Sequence, residues 1–391
     1  MISRAQACRF LLTKNGLLGD RVFRREEGAV GYVRQAGCIQ CDPVDVCGKN
    51  HELALLSRVK GFTREMLPDL LYGQRVLMDS IDKNMCIMST SDWPCMAFLR
   101  ELYSRRSRQR EDVNALSDAI VKLVGQLGHA EPGEMVEHGL PNASWNRMAM
   151  EELFARGDLM VHHTQNNIRS FSLTQDTLPP ELYHAPNPFA GDLQRQAWQV
   201  LRRIGAVGML WDAGSEAWQG VMGMTPRSRT DAFLMLARAG RIVPVPVEGI
   251  DRPLFVRAED TALLRACAQP SGQTRSVRLL APLDCLLWDR KLIMMLFGFD
   301  HRLETGVAEE QRHYGYYVLP VIWEEGFAGR IEPAADRDAD ALVVRRFWQE
   351  PYARLNNRFW WALEDELDLL RRFLGLKRVV WQDGWQTNVR I

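Results

Sequence analysis

Apolar positions recur every three or four residues through most of the first 270 residues, and they are interrupted by short stretches that alternate with period two. The first helix is expected over 3–14, with Ser3 as N-cap, Ala5, Cys8, Leu11 and Leu12 as its apolar face, and Asn15-Gly16 as its stop. Further helices are expected over 26–36, over 51–59 with Leu53, Leu55 and Leu56 inward, and over 63–72 with Thr63 as N-cap. Two strand-like stretches, 75–78 and 85–88, follow. Helices and then a two-stranded ribbon is the order of a winged helix.

After a helix over 92–103 the order recurs twice. The second pass has helices over 112–128, 134–138 and 144–156, with Ser144 as N-cap and Gly157 as stop; residues 159–161 then pair with 168–173 across Asn166-Asn167. The third has helices over 192–204 and around 216–221. A helix capped by Thr225, with Pro226 at its first position, then runs to Ala239 before Gly240, and 242–247 and 253–256 form the ribbon. Beyond a Gln/Ser-rich loop at 269–273 the pattern turns to strands, over 278–287, 315–324, 328–332 and 341–348. A short helix over 291–297 and an amphipathic helix over 359–374 accompany them. The fold class is therefore α+β: three tandem winged-helix motifs, 1–108, 109–188 and 189–270, followed by a β-barrel-like domain with a closing helix, 271–391.

Composition changes this picture little. With 391 residues and 46% hydrophobic side chains the chain can bury several cores, and 49 basic against 49 acidic residues argue against a polycation while leaving room for one basic face. No apolar run reaches the roughly 20 residues of a membrane span, and the N-terminus has no signal-peptide core, so a cytoplasmic protein with no membrane partner is expected. The eight cysteines sit mostly among apolar neighbours, as at Cys86, Cys267 and Cys285, and read as buried small side chains. Cys38, Cys41, Cys47 and His51 include a zinc-like spacing. The segment is apolar and lies between helical patterns, so no metal is expected there, and Cys41 is expected to point inward as an apolar plug.

Two places carry candidate chemistry. Gln40 and Asp42 stand two apart before Pro43, which on extended backbone puts an amide and a carboxylate on one face, a pair that can hold a water and stabilise a developing cation. Capping a turn is the commoner use of such residues. Arg227 and Arg229 open the Thr225-capped helix, where recognition helices meet DNA, and 105–110 is a basic run that reads as linker or phosphate contact.

Three blocks resemble a known family. Ile39-Gln40-Cys41-Asp42-Pro43-Val44 followed by His51-Glu52-Leu53-Ala54-Leu55-Leu56-Ser57-Arg58 is similar to the first block of the winged-helix DNA glycosylases of the YcaQ and AlkZ type. The second runs from Leu280-Ala281-Pro282-Leu283-Asp284 through Trp288-Asp289-Arg290-Lys291 to Phe299-Asp300-His301-Arg302-Leu303-Glu304. The third is Tyr314-Gly315-Tyr316-Tyr317-Val318-Leu319-Pro320, with Gly329-Arg330 beyond it. The resemblance implies a cofactor-independent, monomeric, nucleoid-associated monofunctional glycosylase. Its C-shaped channel would hold duplex DNA, from which it would excise N7-alkylguanines and unhook alkyl interstrand crosslinks. On this resemblance Gln40 and Asp42 are the catalytic pair, and Lys49, His51, Arg58, Arg169, Arg227, Arg229 and Arg290 are expected at the DNA. The chain departs from the family at 80–83, at 305–307 and at Lys49, where the family carries Arg. A non-catalytic winged-helix regulator, or a zinc-dependent one using Cys41, Cys47 and His51, are the alternatives.

Overall fold

Helix ends fall where side chains can satisfy free backbone groups. Ser3 accepts a hydrogen bond from the Gln6 N–H and opens the helix Arg4–Lys14. Thr225 and Ser228 form a reciprocal capping box at the start of Pro226–Arg238. In this computed structural model residues 1–107, 111–270, 272 and 276–382 are described. They form a mixed α+β fold in two compact units, one of 1–64 with 196–391 and one of 65–195.

In the first unit, helices Arg25–Ala36 and Asn50–Leu56 pack on the three-residue strand Cys38–Gln40, and Arg4–Lys14 precedes them. The C-terminal part is a curled five-stranded sheet built from Val277–Leu279, Leu319–Trp323, Gly326–Asp336, Ala341–Gln349 and Arg378–Trp381 in that spatial order. Its pairings are antiparallel except the last. Register shifts at Val321/Ile322 and Glu332/Pro333 bend it. The amphipathic helix Asn357–Phe373 lays Phe359, Leu363, Leu367 and Leu370 onto this sheet, each burial contributing about 1.5–3 kcal/mol. Gly329 is required where two strands meet, because a Cβ there would lie 2.3 Å from the Trp348 carbonyl.

In the second unit, Ile120, Val124, Met150, Leu153, Leu159 and Phe171 form the core between the helices Glu111–Leu127 and Ala143–Arg156 and the hairpin Leu159–Gln165/Ile168–Leu173. Asn166 and Asn167 turn that hairpin at φ 48° and 63°, as the Asn-Asn pair implies. A second hairpin joins Leu77–Asp82 to Asn84–Ser89.

Three expectations change. The helix expected over 63–72 is a single turn, Met66–Pro68, followed by a widened turn, Asp69–Gly73, closed by Gln74 N–H to Asp69 O. Pro68 lacks an N–H and crowds the preceding turn, so a regular helix does not continue through it. Asn142, not Ser144, caps the helix that ends at Gly157. The strand expected over 278–287 stops at Leu279, because Asp284 accepts the Leu286 N–H and folds the following residues into the tight turn Cys285–Leu287. Residues 105–107 complete the helix Ala97–Ser107, and the rest of that basic run, 108–110, lies outside the described residues.

Candidate active site

The strand Cys38–Gln40 is buried along its whole length and ends at Gln40, so Asp42 stands just beyond regular strand. Two side chains fix this end. Asn50, fully buried at the start of Asn50–Leu56, donates from Nδ2 to the Gln40 carbonyl at 2.7 Å and accepts the Leu283 N–H on Oδ1 at 2.8 Å. It therefore ties Gln40 to the 280–284 segment. Asp42 accepts the Val44 N–H on Oδ1 at 2.8 Å, which bridges Pro43 and fixes the half-buried carboxylate. The turn-capping use of Asp42 is thus real, and it leaves Oδ2 for other work. Gln40 is 7% exposed. Cys41 is half-buried rather than the inward plug expected of it, because the strand ends before it; Cys38 and Cys47 are the buried thiols.

Burial, and then the Asp45 carboxylate, push the Cys47 thiol above its ordinary range. Burial, and then the nearby Lys49, lower the His51 imidazole to about 3, and its Nδ1 is enclosed with no hydrogen-bond partner. Tyr317 joins the same surroundings. The residue is 2% exposed, and its hydroxyl is enclosed without a partner. Burial raises its pKa, and the next contributions come from Cys47 and Asp42. A buried hydroxyl without a partner costs roughly 1–3 kcal/mol. Neither Asn50 nor Tyr317 stood out in the sequence, although Asn50 precedes the His51 block and Tyr317 lies inside the third one.

The loop that carries Tyr317 is held by carboxylates. Glu304 accepts the His313 and Tyr314 N–H groups at 2.9 and 2.8 Å, and Glu332 accepts the Tyr316 N–H at 3.0 Å. Gly315 admits that carboxylate: a Cβ there would meet Glu332 at 2.5 Å.

The residues expected at DNA divide sharply. Arg227 and Arg290 are exposed, and Lys49 is half-buried at the start of Asn50–Leu56, its N–H bonded to Glu52. Arg169 pairs with Glu151 at 2.9 Å. Arg229 is buried, donates from Nε to the Asp212 carbonyl at 2.7 Å and lies over the Trp218 ring. Arg58 is fully buried. Its Nε donates to Asn15 O, its Nη1 group faces Ala54 O, Ser57 Oγ and Asp284 Oδ2, and its Nη2 donates to Asp284 Oδ1, and full burial shields the guanidinium from a phosphate. Its place in the first block reflects packing, in correction of the DNA contact expected of it. The neutral His51 likewise brings no charge to a phosphate. No helix among the described residues is long and apolar enough to cross a membrane.

A family model described as DNA glycosylase AlkZ-like matches residues 33–373. Among solved structures, the chain is similar to the Streptomyces sahachiroi DNA glycosylase AlkZ, with a TM-score of 0.63 and 17% sequence identity, over 98% of this chain and 100% of that one.

Proposed function

The chain belongs to the AlkZ-like DNA glycosylases, and from that premise we propose that it excises N7-alkylguanines and unhooks alkyl interstrand crosslinks in duplex DNA, with Gln40 and Asp42 as its catalytic pair. The observation that carries this reading is the Asp42 carboxylate, fixed by the Val44 N–H two residues from a buried Gln40 whose own backbone is clamped by Asn50.

The chemistry suits those groups. An N7-alkylguanine is already cationic, so breaking C1′–N9 sends the bonding electrons to the base, neutralises it and needs no general acid. The sugar gains oxocarbenium character, as in glycoside hydrolysis. The free Asp42 oxygen stabilises that charge and takes a proton from the water that adds to C1′. The Gln40 amide holds the same water. The Tyr317 hydroxyl, near Asp42 and unpaired in the free protein, supplies a further donor once substrate and water are bound. A crosslinked base cannot swing into a closed pocket, and this mechanism does not ask it to. Arg227, Arg290, Lys49 and Arg169 contact phosphate and set position rather than sequence.

The test is incubation with duplex DNA carrying N7-methylguanine, and separately with a nitrogen-mustard crosslink, followed by heat or alkali to reveal abasic sites. Lesion-dependent strand breaks support the reading. Tight sequence-specific binding without breaks would favour the non-catalytic regulator.

A further inference from the structure

Three histidines of the second unit meet on one face of a sheet. His129 lies on the short strand His129–Ala130, and His162 and His163 are consecutive in Leu159–Gln165. Neighbours on a regular strand face opposite sides. Here Val161 pairs with Phe171 and His163 with Ser170, so His162 is the extra residue of a β-bulge. Arg75 holds the bulge, donating to the Val161 carbonyl at 2.7 Å and the His162 carbonyl at 3.0 Å. The result brings His162 Nδ1 and His163 Nδ1 to 2.9 Å of each other. The His129 ring stacks on His162 at 4.1 Å between centroids and meets His163 edge-on at 5.4 Å. One ring nitrogen from each of the three lies within 4.8 Å of the others, and among the described residues this is the one such group of metal-ligand side chains.

We propose that His129, His162 and His163 bind one transition-metal dication, zinc foremost. Imidazole nitrogens suit zinc, copper and nickel, and three protein ligands leave a fourth position to water. Metal–nitrogen bonds of about 2.0–2.1 Å place tetrahedral ligand atoms roughly 3.4 Å apart, so rotations about the side-chain bonds bring these rings into place. Ser170 Oγ lies 3.0 Å from His129 Nδ1, so Nε2 is the nitrogen left for the metal as that ring turns. The strands His129–Ala130 and Leu159–Gln165 flank Ile168–Leu173 without pairing with each other. The ion therefore staples the two outer strands across the middle one. This site departs from the expectation of a metal-free chain, and the bulge explains why the sequence does not announce it: on regular backbone His162 and His163 would diverge. The site is independent of the glycosylase mechanism.

The experiment uses the untagged full chain, stripped with chelator and titrated with zinc against a chromophoric zinc indicator, with cobalt(II) spectra taken in parallel. One saturable equivalent is expected. His162→Gln and His163→Gln should each weaken it about tenfold or more, and Ser170→Ala about tenfold. Cobalt should give visible ligand-field bands without a thiolate charge-transfer band, and saturating zinc should raise the melting temperature of the wild type but not of the variants. Absence of saturable binding, binding unchanged in the histidine variants, or a thiolate band, which would place the metal at Cys41 and Cys47, each overturns the proposal. The cobalt spectrum of the wild type decides the ligand type even if a variant fails to fold.

Discussion

Arg58 and Asp284, 226 residues apart, form a two-pronged ion pair at 2.7 Å on both arms, with both side chains fully shielded from water. Around it, the guanidinium lies over the Tyr32 ring, and the Tyr32 hydroxyl is 3.1 Å from Cys285 Sγ. Burial opposes the Arg58 charge, and the Asp284 carboxylate outweighs it and raises the pKa. This pair, together with Asn50, is the physical link between the two sequence blocks that carry the family resemblance, and it holds the segment bearing Gln40 and Asp42 against the 280–284 turn.

Removing one partner leaves a buried charge alone. Asp284→Asn should therefore destabilise the first unit by about 3–5 kcal/mol, read as a lower urea midpoint. The double change Arg58→Met with Asp284→Leu should cost less than either single change, because no unpaired charge remains. A double variant that loses at least the sum of the two would show that the pair itself, and not the relief of desolvation, holds the blocks together.

Two buried histidines contribute to the response to acid. Burial first, then Arg290, lowers His301 to about 4, and its Nε2 is 2.9 Å from the Pro282 carbonyl; His51 lies lower still, at about 3. An unfolded histidine titrates near 6.5, so between roughly pH 6.5 and 4 only the unfolded chain binds the His301 proton. Stability from this source is fully present above about pH 6.5 and falls as pH drops, by about 1.4 kcal/mol per pH unit. His301→Gln should make the fall shallower by that amount over the same window. Parallel curves for the two proteins would show that His301 is protonated in the fold.

Arg227 and Arg229 should separate in their effects. Arg227→Ala removes an exposed cation and should lower the salt slope of DNA affinity by about one unit, uniformly across sequences. Arg229→Ala removes a buried side chain bonded to Asp212 and stacked on Trp218, so the loss should appear as a lower melting temperature with the salt slope kept. Equal effects on the salt slope would put both residues at phosphate.

Tyr317→Phe deletes a hydroxyl that has no partner in the free protein. Stability should hold or rise, while single-turnover excision should fall about tenfold if the hydroxyl joins the reacting water. An unchanged excision rate would make Tyr317 a packing residue only.

Much of this was legible in the chain. Helix starts at Ser3 and Thr225 and the Asn166-Asn167 turn follow from local chemistry and hold in the structure. The Gln40–Asp42 pair was visible as a motif, but its support was not, because Asn50 and Leu283 are far apart in sequence. Arg58 read as a DNA contact because a sequence shows charge and not burial; only Asp284, across the fold, explains it. The His162 bulge depends on strand register and on Arg75, neither of which local pattern reports.

The central claim is that Asp42 acts on the reacting sugar and not only on its own turn. Asp42→Asn keeps size and shape and an acceptor for the Val44 N–H while removing the charge. Single-turnover excision of N7-methylguanine from duplex DNA should fall by roughly two to four orders of magnitude, with DNA affinity and melting temperature close to those of the unaltered protein. A folded Asp42→Asn protein that excises at the unaltered rate would contradict the mechanism.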